Sequence, residues 1–171
     1  MKSKKAPVVV KKAQENELDI VAQIIWEEVY DELDYQYIRK WIQKSGWPST
    51  NFNFWFVAVA YNKIVGTICW NIYDQYGDTV VLDVAWIAIR NAFQSKGYGT
   101  KLWHSSLKEV SEQLMGSGRR IGLIFVQVDE ENERAQRFFR KMLGDPIEIK
   151  LQSVWEKGSG IIFFFKHCSP I

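Results

Sequence analysis

Apolar residues recur along this chain with two periods, and the switches between them divide it into elements. Behind a polar, basic stretch from Met1 to Pro7, Val8-Val9-Val10 reads as a short opening strand. Leu18, Val21, Ile25 and Val29 then recur at three- and four-residue steps. That spacing sets them on one face of a helix, with Glu27, Glu28, Asp31 and Glu32 on or near the other. A second helix is predicted from Tyr35 to about Lys44, stopping near Gly46-Trp47-Pro48 because proline cannot continue it. From Phe54 to Val59 the pattern becomes that of a strand; Asn62-Lys63 marks a hairpin turn, and a second strand runs from Ile64 to Tyr73.

Gly77-Asp78 breaks that run, and another strand spans about Thr79 to Ile89. Trp103, Leu107, Val110 and Leu114 restore the helical period until Gly116-Ser117-Gly118 ends it. Ile121 to Val128 is a continuous apolar run of the buried-strand kind. Ala135, Phe138, Phe139 and Met142 then return to helical spacing. The stretches Ile147 to Trp155 and Ile161 to Lys166, around Gly158-Ser159-Gly160, read as a closing hairpin. A helix between the strands at 79–89 and 121–128 makes them parallel, since a crossover is needed to join parallel neighbours. No repeat or linker interrupts the order, which predicts a frayed tail over residues 1–7 and one α+β domain with a mixed sheet over 8–171.

Composition narrows the function. The chain has 171 residues, 47% of them hydrophobic and 25% charged, which suits one globular domain. Aromatics are 15% of the residues, with 8 Trp, so flat rings must build much of the core or of a cleft. The formal net charge of +2, with basic residues scattered except for Lys2, Lys4 and Lys5, gives no electrostatic case for nucleic acid. Cys69 and Cys168 are far apart and lack metal-ligand spacing, so neither a disulfide framework nor a metal site is expected, and a reducing cytoplasm fits. No apolar run approaches the length of a membrane span, and the N-terminal charges are not followed by a leader-type apolar segment.

The chemistry gathers between the strand ending at Ile89 and the helix beginning near Tyr98. The loop Gln94-Ser95-Lys96-Gly97-Tyr98-Gly99 carries two glycines in an otherwise polar setting. Unpaired amides at a helix N-terminus, with the local dipole, favour phosphate, and glycine lets the backbone approach it closely. A pyrophosphate is the natural guest. The G-x-x-x-x-G-K-[ST] loop is absent and the glycine spacing does not fit G-x-G-x-x-G, which argues against nucleotide triphosphatases and dehydrogenases.

Here the chain resembles the Gcn5-related N-acetyltransferase superfamily. Its loop pattern, Gln or Arg, two residues, Gly, one residue, Gly or Ala, is met by Gln94, Gly97 and Gly99. Asn132 to Lys141, with Asn132 and Ala135 leading into Phe138-Phe139 and Lys141, looks like the family's later helix, and the order of elements from Val8 to Lys166 also matches. The resemblance implies a mixed, mostly antiparallel sheet flanked by helices, with parallel central strands that splay. It further implies acetyl-coenzyme A as co-substrate, no metal, and direct transfer of the acetyl group to a primary amine through a tetrahedral intermediate. In that scheme pantetheine pairs with backbone groups of Ile87, Ala88 and Ile89, and the amides of Gln94, Ser95, Lys96, Gly97, Tyr98, Gly99 and Thr100 hold the pyrophosphate. The Ile87 amide stabilises the oxyanion, and Asn132 contacts the cofactor, caps its helix, or does both.

An amine attacks only when unprotonated, so a base is needed. Asp83, the lone charge in Val80 to Trp86, is the candidate, since a carboxylate among apolar neighbours is costly without a task or a partner. Its spacing ahead of Gln94 looks like that of the catalytic glutamate in the histone-acetylating branch, although aspartate is shorter and favours a water relay. Pairing with a basic residue is the structural alternative. Phe139 stands where many members place a general-acid tyrosine, and phenylalanine cannot donate. His104 and His167 receive no role, and Cys69 reads as a packed thiol.

On the acceptor side, Glu27, Glu28, Asp31, Glu32 and Asp34 with Trp26, Tyr30, Tyr35, Tyr37, Trp41 and Trp47 suit a small cationic amine, a lysine side chain or a protein N-terminus. A solvated acidic helix face over an aromatic core fits the same residues. The expected partners are an amine-bearing small molecule or protein, with no nucleic acid and no membrane, for a monomer or a homodimer whose closing hairpin offers an edge to a second chain. A competing reading keeps the acyl-coenzyme A cleft in a non-catalytic sensor or regulatory module.

Overall fold

The computed structural model describes residues 7–30, 32–144, 146–151 and 160–168. Lys2, Lys4 and Lys5 of the tail, Asp31 of the acidic set, and Trp155, Gly158 and Ser159 of the closing hairpin lie outside them. In chain order the described elements are strand β1 (Val9–Lys12), helices α1 (Leu18–Val29) and α2 (Tyr35–Lys44), and strands β2 (Asn53–Ala60), β3 (Lys63–Tyr76) and β4 (Thr79–Ile89). Helix α3 (Tyr98–Gly116), strand β5 (Arg120–Asp129), helix α4 (Glu133–Leu143) and strands β6 (Ile147–Leu151) and β7 (Ile161–His167) follow. The strands form one seven-stranded sheet in the order β1-β2-β3-β4-β5-β7-β6. Strand β2 pairs antiparallel with β1 and β3, β7 pairs antiparallel with β5 and β6, and β4 pairs parallel with β5, as the intervening α3 requires.

The chain divides into two compact units, residues 1–71 with 85–113, and residues 72–84 with 114–171. In the first unit, Leu18, Val21, Ala22 and Ile25 of α1 and Ile38 and Ile42 of α2 bury against Trp55, Val57, Cys69 and Trp86 of the strands. Three- and four-residue spacing puts the four α1 residues on one apolar stripe and the two α2 residues on another, and each fully buried branched chain contributes about 1.5–3 kcal/mol. Asp34 sets the start of α2 by accepting from the Tyr37 amide at 3.1 Å. On α3, buried Ser106 accepts from Trp70 Nε1 at 2.9 Å and donates to the Trp103 carbonyl at 3.1 Å, while the two indoles meet edge-on at 4.7 Å.

The β2–β3 hairpin turns on Tyr61 and Asn62, with φ of 52° and 56°, one residue earlier than the sequence pattern places it. Two left-handed residues make the primed turn that strand twist favours, and asparagine accepts that conformation readily whereas tyrosine does not.

In the second unit, β4 and β5 pair from Thr79 with Arg120 to Asp83 with Phe125, and the register shifts between Val80 and Val81. Gly122 is the extra residue at that shift; a Cβ there would come within 2.2 Å of the Thr79 side-chain methyl, so any larger residue would force Thr79 to move. Helix α4 buries Gln136, Phe139 and Leu143 rather than a wholly apolar stripe through Phe138 and Met142. Gln136 Nε2 donates to the carbonyls of Glu130 at 2.7 Å and Asp129 at 3.4 Å, which makes its burial tolerable.

Candidate active site

The loop after β4 is shaped by its own backbone and by α1. Asn91–Phe93 form a single 3₁₀ turn, whose end is marked by the Gln94 amide donating to the Asn91 carbonyl at 3.1 Å. Ser95 and Gly97 then take φ of 58° and 82°, and α3 opens at Tyr98. The first bond of α3 runs from the Lys101 amide to the Gly97 carbonyl at 3.0 Å, so the amides of Tyr98, Gly99 and Thr100 lie ahead of it at the positive end of a nineteen-residue helix. A Cβ built on Gly97 meets no atom within 4 Å. Packing therefore does not demand glycine there; the left-handed backbone does, and the side it leaves bare is open. A left-handed turn feeding a helix N-terminus, with an open approach, fits a diphosphate group.

Two consecutive carboxylates of α1 hold this loop. Glu28 accepts from the Asn91 amide at 2.7 Å and from Gln94 Nε2 at 2.9 Å. Glu27 accepts from Arg90 at 2.7 Å and from Gln23 at 2.7 Å. The Gln94 amide nitrogen also donates to the Ile89 carbonyl at 2.6 Å, tying the loop to the end of β4, while buried Gln94 Oε1 has no partner among the described residues. Lys96 donates to the Ala92 carbonyl at 2.6 Å and lies 5.2 Å over the Phe93 ring. Phe93 also stacks on Tyr98 and meets Tyr61 of the β2–β3 turn, and burial together with Tyr61 raises the Tyr98 phenol above its ordinary pKa.

These bonds change how several side chains are read. Glu27, Glu28 and Asp34 each accept hydrogen bonds that hold the fold, a role that the acceptor reading of the acidic set did not include. Sequence reasoning missed the clamp because its two sides are 63 residues apart, and no local pattern signals it.

Asp83 and Ile87 lie on the same alternating face of β4, with Val84, Trp86 and Ala88 on the buried one. Asp83 occupies the last rung of the parallel ladder, beside buried Phe125, against which Tyr73 packs edge-on at 5.0 Å. Burial alone pushes its carboxyl up to about 6, and among the described residues it meets no cation or hydrogen-bond donor. Asn132 lies in the second unit at the head of α4, where its Oδ1 accepts from the Ala135 amide at 3.0 Å, the capping role foreseen for it.

Aromatic rings line the exposed side of α2. Trp41 stands edge-on to Trp86 of β4 at 5.0 Å, and Tyr30 and Tyr37 flank it at 5.8 and 6.2 Å. Trp41 and Tyr37 are 39% and 60% exposed, so the cluster presents ring faces to solvent. Cys69 is buried in the core, and Phe139 is buried edge-on to Phe138 at 5.3 Å without a hydroxyl to offer. His104 and His167 are exposed. Among the described residues no group of His, Cys, Asp and Glu is arranged to hold a metal ion, and no helix is long and apolar enough to cross a membrane.

The sequence matches the model of the family described as "Acetyltransferase (GNAT) family" over residues 18–145. No match was found among curated proteins. Among solved structures the chain is similar to Ard1 from Thermoplasma volcanium, with a TM-score of 0.72 and 16% identity over 95% of this chain and 99% of that one. It is similar also to the ribosomal-protein-S18-alanine N-acetyltransferase from Escherichia coli, with a TM-score of 0.69 and 12% identity over 96% of each chain. A third is an aminoglycoside 6'-N-acetyltransferase complexed with coenzyme A, with a TM-score of 0.70 and 13% identity over 95% of this chain and 98% of that one.

Proposed function

Since the chain belongs to the acetyltransferase (GNAT) family, we propose that it transfers an acetyl group from acetyl-coenzyme A directly to a primary amine. Bound there, the co-substrate supplies a thioester whose carbonyl carbon is open to attack by nitrogen. The observation that carries the reading is the loop Gln94–Thr100, with its left-handed Ser95 and Gly97, its open face and the N-terminus of α3 behind it. The amides of Gly97, Tyr98, Gly99 and Thr100 would hold the diphosphate, with Lys96 supplying positive charge. Because the Gln94 amide and side chain are already engaged, Gln94 serves by fixing the loop.

Backbone groups of Ile87, Ala88 and Ile89 would bind the pantetheine arm, and the Ile87 amide would donate to the thioester oxygen as negative charge develops, a role often worth about 3–4 kcal/mol. Asp83 accepts the proton that the acceptor's ammonium must lose. Aspartate is short for direct deprotonation, so the proton passes through water. With a pKa of about 6, Asp83 is ionised at neutral pH yet basic enough to serve. Asn132 would both cap α4 and contact the co-substrate. With Glu27, Glu28 and Asp34 engaged in the fold, acceptor recognition would fall to Tyr30, Tyr37 and Trp41, whose faces suit a primary amine in its cationic resting form.

Release of free thiol from acetyl-coenzyme A on addition of a panel of peptides and small amines tests the proposal. A chain that gains thermal stability with coenzyme A but releases no thiol with any amine is the binding module instead. A chain whose melting temperature ignores coenzyme A has neither function.

A further inference from the structure

The last strand of the sheet, β6, has the sequence Ile147-Glu148-Ile149-Lys150-Leu151, and every residue in it is exposed. One edge pairs with β7, from Ile147 opposite Phe165 to Leu151 opposite Ile161. Among the described residues no strand pairs with the other edge. Ile147, Ile149 and Leu151 share one face and are 57%, 47% and 45% exposed, which is costly for three branched side chains in a row on a sheet edge. Phe163 and Phe165 continue that apolar face across β7, stacked at 6.1 Å.

The opposite face carries charge in a fixed order. Glu148 receives two hydrogen bonds from the Arg140 guanidinium, at 2.6 and 2.9 Å, and Lys150 donates to Glu130. We propose that β6 pairs antiparallel with β6 of a second copy of this chain, about a two-fold axis through Ile149, so that two sheets join into one. In that register Glu148 of each copy faces Lys150 of the other, Ile147 faces Leu151, and Ile149 faces its own counterpart. Charges then alternate across the seam from Arg140 to Glu148, then to Lys150 and Glu130 of the second copy. Moving the axis to residue 148 or 150 sets Glu148 against Glu148 or Lys150 against Lys150, so charge selects one register. The contact is isologous and closed, as a two-fold requires. An edge of five residues is small for an interface, so the contact belongs with weak, reversible ones.

Sedimentation equilibrium of the whole chain, from a few micromolar to several hundred micromolar, tests the idea. The expected result is a reversible monomer–dimer equilibrium that Ile149→Lys shifts to monomer. Glu148→Lys and Lys150→Glu alone each put two like-charged pairs across the axis and should weaken self-association at least tenfold. Mixed together they restore both opposite-charge pairs, so native mass spectrometry should show the heterodimer in excess over either homodimer. Each variant loses the same intramolecular ion pair in both assemblies, and circular dichroism confirms that it is folded. A wild-type chain that stays monomeric throughout overturns the proposal, as does a dimer indifferent to Ile149→Lys or a mixture with no preference for the heterodimer.

Discussion

Replacing Asp83 by asparagine should make the folded chain more stable at neutral pH while making it a poorer catalyst. Burial raises the carboxyl from 3.8 to about 6, with no compensating partner among the described residues. A folded-state pKa above the unfolded one means the folded chain binds the extra proton between those values. Stability is therefore fully present below about pH 4 and is lost as pH rises through about 6. At roughly 1.36 kcal/mol per unit the loss is about 3 kcal/mol by pH 8. Asparagine keeps the shape and removes the charge, so the difference between variant and wild type should grow by about 3 kcal/mol from pH 4 to pH 8. For a chain of this length that is a gain of about 6–12 °C in melting temperature. Urea unfolding at pH 4, 6 and 8 measures the difference directly, and any pH-independent cost of burying the amide cancels. A difference that is flat across that range would refute the reasoning, because it would mean that water or an undescribed residue solvates the carboxylate.

The same variant should slow turnover at least tenfold with unchanged coenzyme A affinity, and the wild-type rise of kcat/KM through about pH 6 should vanish with it; an intact profile would remove Asp83 from the mechanism. Gly97→Val should raise the coenzyme A dissociation constant more than tenfold by calorimetry, because it strains φ and fills the open face, whereas Gly118→Val, at φ 71° with equally open space, should cost similar stability without touching binding. Glu28→Ala removes the acceptor for Asn91 and Gln94, and should lower stability by about 1–3 kcal/mol and weaken coenzyme A binding together, read by thermal melts with and without ligand. Trp41→Ala should raise KM for the acceptor severalfold with little change in KM for acetyl-coenzyme A.

Much of the fold was readable because each element's period outruns its neighbours. The bounds of α2 follow from Asp34 and Pro48, and the strands at 79–89 and 120–129 from alternation and from an apolar run. What escaped reading depends on distant partners. Gln136 looks like a polar-face residue until the carbonyls of Asp129 and Glu130 give its buried amide acceptors, and Gly122 looks like an interruption until Thr79 of the paired strand shows what a side chain would strike. Tyr61 in a left-handed turn goes against its own preference and gains compensation from Phe93, 32 positions later in the chain. In the site, the glycine loop announced itself, since helix N-termini and bare backbone are local features. The Glu27 and Glu28 clamp did not, because its partners on the loop are distant in sequence and leave no local pattern.

On the proposed reading, Asp83 is the place where stability and task part company. It sits on the final rung of the parallel ladder, beside Phe125, in a strand whose other ten residues are uncharged. A valine there would continue the β-branched run of Val80, Val81 and Val84, bury comfortably and avoid a desolvation cost of about 3 kcal/mol. Structural carboxylates in this chain behave otherwise: Asp78 lies beside Arg120 and Thr79, Glu148 beside Arg140, and both have lowered pKa values. Where a carboxylate holds this fold together, it has a cation or a hydrogen-bond donor as partner. A carboxylate left without either among the described residues, and raised instead toward the pH at which a base works best, is the arrangement expected when proton transfer sets the requirement.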